Sequence, residues 1–315
     1  MAISNYPNGF VNGITIRGVP LTLMHPGKVF FVNNSSVLAE GGIGGSDGNP
    51  GTYQKPFSTI DYAIGKCVAS RGDIICVMPG HAETVGSAAA IALDVAGVAI
   101  VGLGRGSLRP SLNFTATAST MTISAANCLI HNLLFLGGID AVVSPLVISG
   151  ADCIISSCEL RDVTGQMTDG ILTTAGATRL KILNHVHDGA TAAGTNAAIA
   201  LVGGDGIEIT IDRMDGNFAV GGIDVRTTAT TDLHVHDVRY FRTRNAADIF
   251  LVDTVTASTG FVGPNINLRL QDDAANVTEA VTGATFVVID PVYVVNAANE
   301  KAMLINWTAT TDAIV

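Results

Sequence analysis

The chain repeats one short pattern of alternating apolar and polar residues along most of its length. The intervals between successive copies are 30, 25, 27, 27 and 26 residues. A strand–helix–strand unit needs about 30 residues or more, so these units have no room for a helix. The repeat therefore predicts stacked coils made only of strands and turns. The copies begin at Val98, Cys128, Cys153, Leu180, Ile207 and Leu233.

A second apolar stretch lies about ten residues before four of these copies, at 144–150, 169–176, 197–204 and 221–228. Alternation with a period of two is typical of a half-buried strand, and each coil then buries its inner face against its neighbours. We therefore predict an all-β fold, a right-handed parallel β-helix. The pattern points Leu180, Ile182, Ile207, Ile209, Leu233 and Val235 inward, and Lys181, Glu208 and His234 outward.

The segments that flank the repeat differ from it. Residues 44–67 run from Gly-rich turns into Ser58 or Thr59 as a helix N-cap, followed by an apolar helical spacing. This predicts a short helix that closes the N-terminal end of the solenoid, where open strand edges would otherwise be exposed. The predicted organisation is an extended N-terminal arm at 1–43 for attachment, a β-helix at 44–275, and C-terminal strands at 276–315 that close the helix or contact another subunit.

The sequence GSDGNPGTYQKPFSTIDYAI, followed by GDIICVMPGHAETV and GVAIVGLG, resembles the N-terminal signature of the pectin-lyase-like β-helix superfamily. It looks most like the versions encoded by tailed bacteriophages, and residues 12–36 resemble the leader of phage structural proteins of this type. The resemblance covers about the first third of the chain. It implies the fold and a virion context. It implies no particular activity, because the superfamily includes lyases, hydrolases and binding or structural proteins.

Composition limits the classes of partner. The net charge is −10 and no cluster of Lys or Arg is visible, which predicts no nucleic-acid binding. No apolar run reaches 18 residues and no signal peptide is apparent, so we expect no membrane partner and synthesis in the host cytoplasm. The five cysteines have no tight spacing and are expected to be buried free thiols, with Cys128 and Cys153 stacked above Val98.

Two aspartates are the catalytic alternative. Asp188 and Asp215 occupy equivalent offsets in adjacent coils. Glycoside hydrolysis uses two carboxylates about 5–10 Å apart, which adjacent coils can provide. The competing interpretation, which we favour, is that these aspartates sit at turns and cap backbone donors. Carbohydrate-processing clefts usually have aromatic platforms, but only 5% of the residues in this chain are aromatic. The low aromatic content therefore argues against an enzyme.

Two further groups of polar residues have a regular spacing, of which the first is a candidate metal site and the second is structural. His185/His187 and His234/His236 each place two imidazoles on one face of a strand, but neither has an apparent third ligand, so we predict surface histidines, no metal and no cofactor. Asn132, Ser157 and Asn184 share an offset just past the inward strand. They predict a short stacked polar column at a corner of the coils.

Together these features predict a non-enzymatic bacteriophage virion structural protein, a capsid decoration or cement protein on the head exterior. We expect a homotrimer that contacts the major capsid protein or other virion proteins through arm 1–43, with a surface glycan as a further partner. The first alternative is a tail-spike or fibre-like protein that binds host polysaccharide. The second is an active polysaccharide lyase or hydrolase that uses Asp188 and Asp215.

Overall fold

The structure, a computed structural model, describes most of the repeat region and parts of both ends. About half of the predicted arm and more than half of the predicted C-terminal segment lie outside the described residues. The structure describes residues 14–16, 19–21, 27–36, 38–162, 167–191, 194–244, 249–255, 257–270, 281–282, 285–288, 292–295, 301–304 and 313–314.

Short strands account for nearly all of the regular structure. The N-terminal elements are β1 Ile14–Ile16, β2 Val19–Leu21, β3 Val29–Val32, α1 Ile60–Ile64, β4 Ile74–Val77, β5 Ala82–Val85, β6 Ile91–Leu93, β7 Ala99–Gly102, a 3-10 turn Gly106–Leu108, β8 Ser111–Phe114 and β9 Met121–Ile123. The central elements are β10 Leu129–His131, β11 Leu134–Gly137, β12 Leu146–Ile148, β13 Ile154–Ser156, β14 Glu159–Asp162, β15 Asp169–Thr173, β16 Lys181–Asp188, β17 Thr195–Leu201, β18 Gly204–Asp205, β19 Glu208–Gly216 and β20 Phe218–Val225. The C-terminal elements are β21 Thr230–Thr231, β22 Leu233–Thr243, β23 Leu251–Asp253, β24 Thr259–Val262, β25 Ile266–Arg269, β26 Val281–Thr282, β27 Thr285–Val288, β28 Val292–Val295, β29 Lys301–Leu304 and β30 Ala313–Ile314.

The strands stack in register as a parallel β-helix, which confirms the predicted all-β, right-handed parallel β-helix fold. Ile100, Ile130, Ile155 and Ile182 follow one another as paired residues of parallel strands. We number the coils from coil 1 (β4–β6) through coils 2 (β7–β9), 3 (β10–β12), 4 (β13–β15), 5 (β16 and β17), 6 (β19 and β20) and 7 (β22 and β23). Among the described residues, an 18-stranded sheet, the long sheet, makes two passages through each coil, as two separate strands in coils 1 to 4 and as one continuous strand in coils 5 to 7. The short sheet has eight strands in the described residues and runs from β6 to β26.

The interior is formed by the residues that the alternation predicted. All six residues predicted to point inward are at most 1% exposed. Cys128 and Cys153 are 2% and 0% exposed, next to Val98 at 1%, as predicted. Because each coil meets its neighbours through such columns, one continuous core extends along the solenoid.

The corner inside the long sheet is made by residues in the left-handed conformation. Asn132, Ser157 and Asn184 have φ of 57°, 52° and 52°, which confirms that they share one corner. Asp237 has φ of 50° and occupies the same corner in coil 7. Short polar side chains tolerate this backbone better than most residues. The side chains at this corner also bond backbone groups, so they are more than a ladder of stacked polar residues. The Asn132 Nδ2 donates to the carbonyl oxygens of Gly102 (2.8 Å) and Gly104.

The N-terminal end is closed by α1, as predicted. Thr59 is its N-cap and accepts a hydrogen bond from the Tyr62 backbone N–H at 3.3 Å. The helix buries Ile60, Ala63 and Ile64 against the end of the core. Strand β3 pairs in parallel with β4, so residues 29–32 belong to the solenoid although the sequence analysis placed them in the arm.

A second apolar cluster lies on the outer side of the first coils. Ile75 and Ile100 face the core, so their strand neighbours face outward, yet these neighbours are also buried. The cluster consists of Ile74, Cys76, Ala99, Val101 and Leu103, with Phe31 and Leu129 packed against it. Burial raises the pKa of the Cys76 thiol to about 12, as expected for a thiol in apolar surroundings.

Candidate functional site

The second passage of the long sheet carries an unusual concentration of arginines on its outer side. Arg161, Asp188, Asp215 and Arg242 pair in sequence across coils 4 to 7, so their side chains form one column. We call this surface the arginine face. It comprises Arg109, Arg161, Arg213, Arg242 and Arg244 around the carboxylates of Glu159, Asp188 and Asp215.

Asp215 is the buried centre of the arginine face. Its side chain is 2% exposed, and three arginines contact its carboxylate. Arg242 donates from Nε (3.1 Å) and Nη2 (2.7 Å), Arg244 Nη2 donates at 3.2 Å, and Arg213 Nη2 at 3.4 Å. This carboxylate lies among three guanidiniums and orients them through these hydrogen bonds.

Asp188 lies beside Asp215 in the adjacent coil, so the predicted match of their offsets is confirmed. Its side chain is 37% exposed and contacts Arg213 Nη2 at 3.2 Å and Arg161 Nε at 3.9 Å. The favoured interpretation as turn caps is wrong, because both aspartates lie in strands and their recorded contacts are to arginines. Both carboxylates are therefore engaged in ion pairs within the described part of the chain.

A cavity of about 470 Å³ opens beside this column in coils 2 to 4. Arg109 forms one wall, where it donates to Asn132 Oδ1 at 3.0 Å and to Glu159 Oε2 at 2.8 Å, and also bonds the Ser157 carbonyl. Five arginines against three carboxylates give the arginine face an excess of positive charge in a chain of net charge −10. Such a surface suits an anionic ligand. The lining residues are Gly106, Ser107, Arg109, Ser111, Leu134, Leu136, Glu159 and Arg161.

A second charged group on the short sheet was missed by the sequence analysis. Arg226 donates to Asp224 Oδ2 at 3.1 Å and also bonds Asp169, whose side chains are 2% and 6% exposed. Asp253 is 3% exposed, and one carboxylate oxygen of each aspartate is buried with no protein partner among the described residues. Burial raises the pKa of Asp224, and the charges of Asp169 and Asp253 add to this effect. The sequence contains one signal for this group. The spacing of Asp224 and Arg226, two residues apart, places both side chains on one face of a strand.

The histidine pairs occupy opposite sides of the wall. His236 lies on the outer side and contacts Glu208 Oε1 at 3.2 Å and Asp237 Oδ2 at 2.8 Å, which confirms the predicted surface location of the second pair. The same prediction for His185 and His187 is wrong, because they are 1% and 0% exposed. Left-handed Asn184 and the bulge beside it change the alternation at this corner.

Neither pair is arranged as a metal centre. No group of three or more His, Cys, Asp or Glu residues in the described ranges is placed to hold a metal ion. Burial lowers the pKa of His185 to about 3 and that of His187 to about 4, so both imidazoles are neutral at physiological pH. Among the described residues, no helix is long and apolar enough to span a bilayer.

Comparison with known proteins found little beyond the fold. No family model matches the sequence, and no curated protein matches it. A solved structure of a rhamnogalacturonan lyase matches with 14% identity and a TM-score of 0.38, covering 78% of this chain and 73% of that chain. The prediction that the chain is not an enzyme is therefore corrected, since the structure found is that of a polysaccharide lyase. The likeness lies at the level of the fold and does not assign lyase activity to this chain.

Proposed function

We propose that this chain is a structural protein of a tailed-bacteriophage particle, displayed on the head exterior and attached through its N-terminal segment. The phage-like N-terminal motifs support this assignment. Ion pairs between adjacent coils also support it, because they join successive coils on the outer wall. Examples are Arg179 with Asp152 and Arg239 with Asp212, both at exposed positions.

The observation that carries the proposal is the way the chain enters the solenoid. Strands β1 and β2 form a separate antiparallel pair, with Ile14 opposite Leu21, and in the described residues they share no sheet with the coils. Strand β3 is the first to join the long sheet. The pair of strands β1 and β2 therefore precedes the first strand of the solenoid along the chain, which is the position that an attachment element requires.

A truncation tests this role. Deleting residues 1–26 leaves β3 and α1 in place, so the protein should remain folded but should no longer be found in purified particles by mass spectrometry. Phage that lack the gene are supplied with either the truncated or the full-length protein from a plasmid. The full-length protein is the matched control. Normal incorporation of the truncated protein would refute attachment through residues 1–26, and absence of the full-length protein from particles would refute the virion assignment.

A second candidate function is the binding of an anionic host polysaccharide along the arginine face. The cavity beside Arg109 and the excess of guanidiniums favour it. Arginine pairs with carboxylate or phosphate groups through two parallel hydrogen bonds, and a polymer with repeated negative charges can contact several coils at once.

The test is binding of purified acidic capsular polysaccharide from the host to the wild type and to Arg161→Gln with Arg213→Gln. Both arginines are about half-exposed, so we expect a folded protein with roughly tenfold weaker binding and a smaller salt dependence. Arg179→Gln is the matched control, because it removes an exposed arginine outside the face. Equal loss in both variants would argue against this site, and cleavage of the polymer would identify a lyase or hydrolase instead.

A further inference from the structure

His185 and His187 are polar groups enclosed in the solenoid core without polar partners. For both imidazoles, Nδ1 and Nε2 are buried and meet no hydrogen-bond partner among the described residues. The His187 ring packs 5.4 Å from the Phe218 ring, and the two imidazole centroids are 6.3 Å apart. A neutral imidazole fits this space, but a charged imidazolium would lose its hydration and gain no compensating contact.

The backbone beside these imidazoles is also irregular. Strand β16 pairs with β19 in shifted register between Ile182 and His185 and again between His185 and Val186. A bulge leaves local backbone groups outside the regular ladder. The least regular pairing between coils 5 and 6 therefore coincides with the buried imidazoles.

Charged groups on the surrounding elements do not offset this burial. The charge of Asp215 favours protonation of His187, but burial outweighs it, and the two imidazoles face each other. The other ionisable groups on β14, β15, β16, β19 and β20 are Glu159, Arg161, Asp162, Asp169, Lys181, Asp188, Glu208, Asp212, Arg213 and Asp224.

We infer that His185 and His187 form an acid-sensitive switch, and that their protonation opens the wall of coils 5 and 6 while the first coils stay closed. The opened segment includes the strands that carry Asp188, Arg213 and Asp215, so acidification would also disrupt the arginine face.

The direction of the pH effect follows from the two states. In an opened segment the imidazoles have their ordinary pKa near 6.5, whereas in the closed core burial lowers the pKa values to about 3 and about 4. The open form binds more protons below about pH 6.5, so the closed form loses stability as the pH falls from there toward about 4. Each imidazole changes the opening equilibrium by up to about tenfold per pH unit.

Cys158 provides a built-in probe of this opening. The Val186 backbone N–H donates to the Cys158 carbonyl at 3.1 Å, which places this cysteine beside His185 in the adjacent coil. Cys158 is 1% exposed, and Cys128, in coil 3, is 2% exposed. Labelling by 4,4′-dithiodipyridine, a reagent that reacts in mild acid, should report local opening at Cys158 with Cys128 as the internal reference.

We expect the ratio of the Cys158 to Cys128 labelling rates to rise at least about tenfold between about pH 6.5 and pH 5. His185→Leu with His187→Met should abolish this rise, since Met214 already occupies the position equivalent to His187 in coil 6. His131→Gln is the control, because His131 lies half-buried on the outer side and its pKa is also lowered by burial. A rise that persists in the double variant, or an equal rise at Cys128, would overturn the proposal.

A measurement on the wild type tests the proposal even if the double variant fails to fold. Histidine NMR of the full chain should show two imidazoles that remain neutral in the closed form down to about pH 5. Titration of all the histidines near pH 6.5 in the folded protein would overturn the switch, since it would show that solvent or another partner already satisfies this pair.

Discussion

Coils 1 to 3 and coils 5 to 7 have the same inner wall and different outer walls. In both regions the inward columns are almost completely buried and mainly apolar, with His185 and His187 of coil 5 as polar exceptions. In coils 1 and 2 the outer side of the first passage of the long sheet is also apolar and buried, as at Cys76 and Val101. In the second region the outer side carries charged pairs such as Lys181 with Glu208.

The strands differ in the same way. The early coils cross the long sheet as two strands of three or four residues, whereas β16, β19 and β22 run continuously for 8, 9 and 11 residues. The continuous strands are also those with register shifts. The comparison shows that stacking requires only a matching inner wall, so the outer wall of a solenoid is free to carry binding groups.

The largest expected effect tests whether the inner walls are equivalent. Phe135 in coil 3 and Phe241 in coil 7 lie in the same inward column and are both 0% exposed. Truncating either phenylalanine to alanine should lower the free energy of unfolding by about 3–5 kcal/mol. Urea denaturation followed by circular dichroism measures both variants. A cost below about 1 kcal/mol in only one region would break the equivalence.

The next effect tests the difference between the outer walls. Val101→Asn places an amide in the covered apolar cluster and should cost about 2–4 kcal/mol, through lost apolar burial and an unsatisfied polar group. Leu183→Asn, in the same outward column in coil 5 but only half-buried, should cost less than about 1 kcal/mol. Similar costs in the two denaturation curves would mean that the outer walls do not differ energetically.

The arginine face gives a smaller contrast. Asp215→Asn removes the buried anion that three arginines share and should cost about 1–3 kcal/mol in unfolding free energy. Asp188→Asn should cost less than about 1 kcal/mol, because that carboxylate is 37% exposed and its ion pairs are hydrated. Reversal of this order would show that Asp188, not Asp215, organises the arginines.

The smallest effect concerns the exposed column of the middle coils. Lys181→Gln removes the ion pair with Glu208, and both side chains are 30% exposed or more. We expect a change of at most about 0.5 kcal/mol, which should fade as salt is added. Denaturation at low and at high ionic strength measures it, and a salt-independent loss of more than about 1 kcal/mol would contradict the hydrated character of this wall.

The sequence was informative wherever one short-range rule decided the outcome. The period of two located the strands and the inward columns, the cap of α1 followed from Thr59 and the apolar spacing after it, and the equal offsets of Asp188 and Asp215 became a direct pairing. The sequence analysis failed where a corner interrupts the alternation. It placed His185 and His187 on the surface because an alternation with a period of two does not indicate where a bulge shifts the inward and outward positions.

The sequence alone determined the solenoid, since a repeat of strand and turn signals specifies stacked coils before any contact is known. Only the tertiary structure decided what the outer wall does. It brought Arg213, Arg242 and Arg244 onto Asp215, paired β3 with the first coil, and enclosed two imidazoles in the core. The physical reason is that inward residues contact the next repeat at a fixed spacing. Outward contacts instead depend on register shifts and on how far side chains reach between coils, and the linear pattern does not encode either of these.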